Sequence, residues 1–120
     1  MTAPKRIQMS RQHPWRAENP DAIIVARPSK WGNPFTVAGA LTAGFADTKE
    51  GARKVAVDAF RDWLDGDTWA AGSTPEWDFR RLRFLADLSE IAGHDLLCWC
   101  PLDQPCHADV LLKLASGDAS

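Results

Sequence analysis

The feature that most narrows the fold is the run Ala22-Ile23-Ile24-Val25-Ala26, apolar throughout and β-branched at its centre. A strand with one wet face alternates polar and apolar residues. A run without alternation reads as a strand covered on both faces, which points to a parallel sheet flanked by helices. Pro28 stops the run soon afterwards. Residues 22–27 are therefore read as the central strand, with 6–10 and 95–100 as two further strands, the last ended by Pro101.

Helical periodicity fills the remainder. Ala52, Val55, Ala56, Ala59, Phe60, Trp63 and Leu64 mark one face of a helix near 48–65, with Asp47 and Glu50 spaced as a capping box and Gly66 at its end. Ser73-Thr74-Pro75-Glu76 starts a second helix near 74–92, expected to bury Leu82, Leu85 and Leu88 and to stop at Gly93. A third, near 105–116, buries Val110, Leu111 and Leu114 and closes at Gly117. Between them, residues 28–45 are rich in Gly, Pro, Ser and Asn and read as a long structured loop, with a short extra strand near Phe35-Thr36-Val37 as an option. The expectation is a small α/β fold in a single domain over 1–120, its ordered core about 6–116, with a short mostly parallel or mixed sheet whose strand order stays open.

Composition excludes several classes. Hydrophobic residues make up 45% and charged residues 25% of the 120, as in an ordinary globular protein. No membrane span or signal peptide is evident, so a soluble, cytoplasmic protein is expected. The formal charge of −2 divides unevenly, +4 over residues 1–35 and −6 over the rest. The basic third suits a phosphate-bearing partner, and ordinary surface charge explains it equally well.

All three cysteines fall between positions 98 and 106, where a disulfide scaffold would spread an even number along the chain. Three readings fit Cys98-Trp99-Cys100 with Cys106-His107. The four side chains Cys98, Cys100, Cys106 and His107 have the types and number of a closed zinc site, although an extended C-x-C pair would hold its sulfurs apart. Alternatively, Cys106 and His107 at a helix N-terminus form a ligand or catalytic site, where the helix dipole stabilises a thiolate and His107 acts as acid, base or donor. In the third reading the cysteines are small core residues.

The loop Arg27-Pro28-Ser29-Lys30-Trp31-Gly32-Asn33-Pro34-Phe35 follows the carboxyl end of the most buried strand, where ligands bind in open α/β sheets. Arg27 and Lys30 suit phosphate oxygens, Trp31 a base face, Asn33 a base edge, and Gly32 a close backbone approach. If the strands ending at Arg27 and Cys100 are parallel neighbours, loop and cysteine cluster meet at one crevice, with Cys100 in its wall. The competing reading is a structural loop in which Trp31 and Phe35 plug the core and Asn33 makes an Asx turn.

These two stretches, from Ile24 to Phe35 and from Cys98 to His107, together resemble the family called domain of unknown function 4326, found in bacteria and their phages. The resemblance spans roughly residues 6–115. It places the family pattern on Arg27, Gly32, Asn33, Pro34 and Phe35, and on Cys98, Cys100, Pro101, Cys106 and His107. Many members carry Leu at the place of Trp31 and Gly at the place of Ala108. The resemblance supplies no activity.

The leading expectation is a domain that binds or modifies a nucleotide, nucleoside or nucleic-acid end, whether or not it is an enzyme. Cys106 and His107 would be its reactive groups, with Arg27, Lys30, Trp31, Gly32, Asn33 and Cys100 as binding residues. The alternative is a non-catalytic interaction module stabilised by zinc. No membrane partner is expected.

Overall fold

A computed structural model describes residues 3–12 and 14–116. Strands β1 (Arg6–Gln8), β2 (Ile23–Ile24) and β3 (Leu96–Cys98) form a three-stranded parallel sheet in the order β1-β3-β2. Among the described residues there are five helices: α1 (Trp15–Glu18), α2 (Val37–Thr42), α3 (Lys49–Leu64), α4 (Pro75–Asp87) and α5 (His107–Ala115). The expected small α/β class is therefore what the chain adopts, with every strand pair parallel. No helix among the described residues is long and apolar enough to cross a membrane.

The chain packs as two compact units, Met1–Gly32 with Leu88–Ser120, and Asn33–Asp87. The first unit holds the sheet. Its central strand is β3, buried at all three residues, whereas the Ile-rich β2 takes an edge. The expectation of β2 as central strand is corrected here. Ile23 and Ile24 are only half-buried at that edge, and burial is complete just past the strand, at Val25 and Ala26.

Register fixes the two faces. Ile7, Leu97 and Ile24 are cross-strand partners, and with Met9, Ala26, Ala22 and Trp15 they make one apolar cluster. Arg6, Leu96 and Ile23 pair on the opposite face, as do Gln8 and Cys98. Helix α5 packs against β1 and β3, with Ala108 and Leu111 fully buried.

The second unit is helical. Thr36 caps α2 by accepting from the Gly39 amide at 2.9 Å, so the optional strand at 35–37 is instead a helix start. Thr48, rather than Asp47, caps α3, accepting from the Gly51 amide at 3.0 Å. Helix α3 buries Ala52, Ala56, Ala59, Phe60, Trp63 and Leu64, largely as its periodicity implies. Helix α4 ends at Asp87, before a single 3-10 turn over Leu88–Glu90, and it buries Phe84 while leaving Leu82 54% exposed. Its apolar face is thus turned from the leucine stripe, because Phe84 packs edge-on against Phe60 and Trp63. Gly93 does terminate the segment, with φ at 82°. Gly117, expected to close α5, lies outside the described residues.

Leu97 is 2% exposed in the central strand, so Leu97→Ala should cost about 2–5 kcal/mol of stability through lost contacts and a residual cavity. Urea denaturation checks this. The same truncation at the exposed Leu82 should stay within about 0.5 kcal/mol.

Candidate functional site

The cysteines gather at the carboxyl end of β3. That strand ends at Cys98, and the chain bends through Trp99 and Cys100 instead of continuing extended to 100. The bend turns the Cys100 amide onto the Cys98 sulfur, with N to Sγ 3.2 Å. It also removes the objection that an extended C-x-C pair keeps its sulfurs apart. The sulfurs of Cys98, Cys100 and Cys106 all lie within 4.8 Å of one another, and Cys98 and Cys106 approach to 2.8 Å. Cys98 and Cys106 are buried and Cys100 is half-buried.

Cys106 is the N-cap of α5, not part of its first turn. Its extended backbone, φ −149° and ψ 145°, aims the side chain back toward Cys98. His107 is the first helical residue, and its Nε2 lies 2.8 Å from the Val25 carbonyl oxygen. A carbonyl only accepts, so Nε2 carries the proton and donates. The ring's other nitrogen, Nδ1, is 3.8 Å from the Cys106 sulfur. Cys106 and His107 thus project in different directions yet both serve the same corner.

The two buried thiols are shifted in opposite directions. Contact with Cys100, the hydrogen bond to Cys106 and burial all push the Cys98 thiol up, against the Cys100 amide. For Cys106 the Cys100 contact is the largest influence and also pushes up, but Cys98, His107 and the Ala108 amide outweigh it and bring the thiol down. Cys106 at the helix N-cap is therefore the sulfur that carries charge first.

One residue that motif reading passed over completes the corner. Arg6, on the same sheet face as Cys98, has a side chain only 7% exposed. Its Nη2 donates to the carbonyls of Pro101 at 3.3 Å, Leu102 at 2.7 Å and Gln104 at 2.9 Å, which lie between Cys100 and Cys106. Burial opposes its charge, yet the neighbouring Cys106, Asp109 and Cys98 more than offset that and hold its pKa above the ordinary value. The available signal was slight, an arginine beside Ile7 in a short strand that is only partly buried.

The other motif is built differently. Strands β2 and β3 are indeed parallel neighbours, and the loop from Arg27 to Gly32 follows the carboxyl end of β2 in the same unit. Arg27 is exposed, and its peptide to Pro28 is cis. Lys30 pairs with Glu90 at 2.6 Å and lies 5.2 Å from the centre of the Trp31 ring. Trp31 is only 4% exposed, so the ring is a core plug and offers no open face to a base. The Gly32 amide closes a turn onto the Ser29 carbonyl at 3.0 Å, and a Cβ at Gly32 would sit 2.5 Å from Arg27 Cγ.

Asn33 belongs to the second unit and spends both ends of its amide there. It donates to the Ala56 carbonyl at 3.0 Å and accepts from the Phe35 amide at 2.9 Å, an Asx turn. Phe35 stacks on Trp77, with ring centres 5.5 Å apart. A cavity of about 260 Å³ in this unit, walled by Phe35, Phe45, Trp69 and Trp77, includes none of the residues assigned to binding or catalysis from sequence.

Three thiols at the carboxyl end of a parallel sheet, beside a helix start, make this a small α/β protein with a cysteine cluster able to hold a metal ion. The chain belongs to the family described as domain of unknown function DUF4326, which matches residues 7–117. No curated protein and no solved structure matches it.

Replacing His107 by Ala should cost about 1–3 kcal/mol, because the Val25 carbonyl loses the imidazole donor that His107 supplies. Lys30→Ala breaks a pair whose side chains are about half exposed and should cost under about 1 kcal/mol. Denaturant titration of both variants measures the contrast.

Proposed function

We propose that the cluster is a zinc–thiolate centre and that the protein is a binding or interaction domain stabilised by that ion. Cys98, Cys100 and Cys106 would be ligands, and His107 would complete the set through Nδ1. The observation that carries this reading is the approach of three sulfurs to within 4.8 Å of one another. Ligand sulfurs about 2.3 Å from a tetrahedral zinc lie about 3.8 Å apart, so the Cys98–Cys106 pair would open by about 1 Å on ion entry. Donation of the His107 Nε2 proton to Val25 is an outer-shell arrangement of the kind that orients a ligating imidazole, with Nδ1 as the nitrogen on the Cys106 side. The Cys100 amide on the Cys98 sulfur likewise favours a thiolate there.

Elemental analysis of the purified protein should find about one zinc per chain, and chelation should lower its melting temperature. Cys98→Ser or Cys106→Ser should abolish stoichiometric zinc. Thiol protons compete with the ion, so zinc should be released as pH falls and regained as it rises. Wild-type protein that remains metal-free after refolding with excess zinc would sink the reading.

A second reading, binding of a nucleotide, nucleoside or nucleic-acid end, keeps one supporting observation. Exposed Arg27 follows the end of β2, a parallel neighbour of the strand that carries the cluster. The placements of Trp31 and Asn33 do not add to it. Calorimetric titration with mononucleotides should then show binding that Arg27→Ala abolishes, and wild-type silence at millimolar nucleotide would end this reading.

A further inference from the structure

Arg6 poses a charge problem that its hydrogen bonds do not solve. Its side chain is 7% exposed, and removing a guanidinium from water is strongly unfavourable unless an opposite charge accompanies it. The three loop carbonyls offer only partial charges. The carboxylate paired with it among the described residues, Asp109, stands 3.6 Å from Nε and is 54% exposed, so water screens much of its attraction. The second terminal nitrogen, Nη1, is buried and finds no oxygen or nitrogen hydrogen-bond partner among the described residues. Two further groups close enough to act on this cation are the sulfurs of Cys106 and Cys98.

The charge arithmetic of a metal centre closes this gap. Three thiolates with one divalent ion and a neutral imidazole carry a net charge of about −1. A single adjacent guanidinium balances it.

We propose that Arg6 is the positioning residue and fixed counter-charge of the cysteine centre. Through Nη2 it clamps the 101–104 loop so that Cys106 returns to Cys98 and Cys100. Through its charge it offsets the excess negative charge of a tris-thiolate zinc. This inference rests on the zinc reading above and adds to it a residue outside the Cys-His motif, from the opposite end of the sequence. It also gives a role to a largely buried arginine at the strand position paired with Leu96.

The test is zinc affinity, measured with zinc alone against a chromophoric chelator, on full-length wild type and variants whose circular dichroism matches it. Arg6→Met keeps an apolar stem of similar reach and removes the charge. It should weaken zinc binding by about 10–100-fold, the usual effect of losing an outer-shell partner. Arg6→Lys restores the charge without the fork and should recover part of that loss. Asp109→Asn, at the half-exposed partner, should change affinity by no more than about twofold.

If Arg6 were only structural, Arg6→Met would lower the stability of the metal-free protein and leave zinc affinity within about twofold, which overturns the inference alone. Should Arg6→Met fail to fold, Arg6→Lys decides the matter, since affinity equal to wild type would overturn the clamp. A wild-type protein that binds no zinc overturns this inference and the parent reading together.

Discussion

The hydrogen bond from His107 Nε2 to the Val25 carbonyl is the contact on which the cysteine corner depends. It ties the first turn of α5 to the end of an edge strand, and both are anchored on β3. Cys106 directly precedes His107, so fixing the imidazole also fixes the N-cap sulfur against Cys98. A buried carbonyl left without this donor would be expensive, and the helix start is therefore held in one place. The bend at Trp99 and Cys100 supplies the third sulfur, and Arg6 holds the connecting loop by its carbonyls.

Much of this was legible in the residues, for reasons that differ by element. Helix α3 stands out because its buried residues recur at helical period over four turns, and α5 because its apolar positions follow a proline. The cysteine motif declared itself by clustering. The bend after Cys98 was not legible, because alternation along a strand says which face a residue takes but not where the strand stops. Pro101 marked the end only approximately. Helix α2 was hidden by its six-residue length and by the glycine inside it. Arg6 was hidden more thoroughly. A single arginine reads as surface charge, and only the parallel register to β3 shows that it shares a face with Cys98.

The loop from Arg27 to Phe35 shows how motif chemistry can serve architecture. Tryptophan, asparagine and glycine in one short stretch are what a base-binding loop would need. Here the tryptophan is buried, the asparagine amide bonds its own backbone surroundings, and the glycine sits where a side chain would strike Arg27. Residue type alone does not separate the two uses. What separates them is whether the polar atoms still have capacity left once the loop has folded.

The placement of β3 between its two partners has a consequence for how the chain is made. Neither β1 nor β2 pairs with the other; each pairs only with β3, which lies about 70 to 90 residues further along. During synthesis both early strands therefore emerge without a template, while the helices between β2 and β3 can form from local contacts. The sheet closes only when the strand bearing Cys98 arrives, and the residues that complete the thiol corner follow within ten positions. Closing the sheet and assembling the corner thus wait on the same stretch of chain, and a polypeptide cut before Leu96 would have neither.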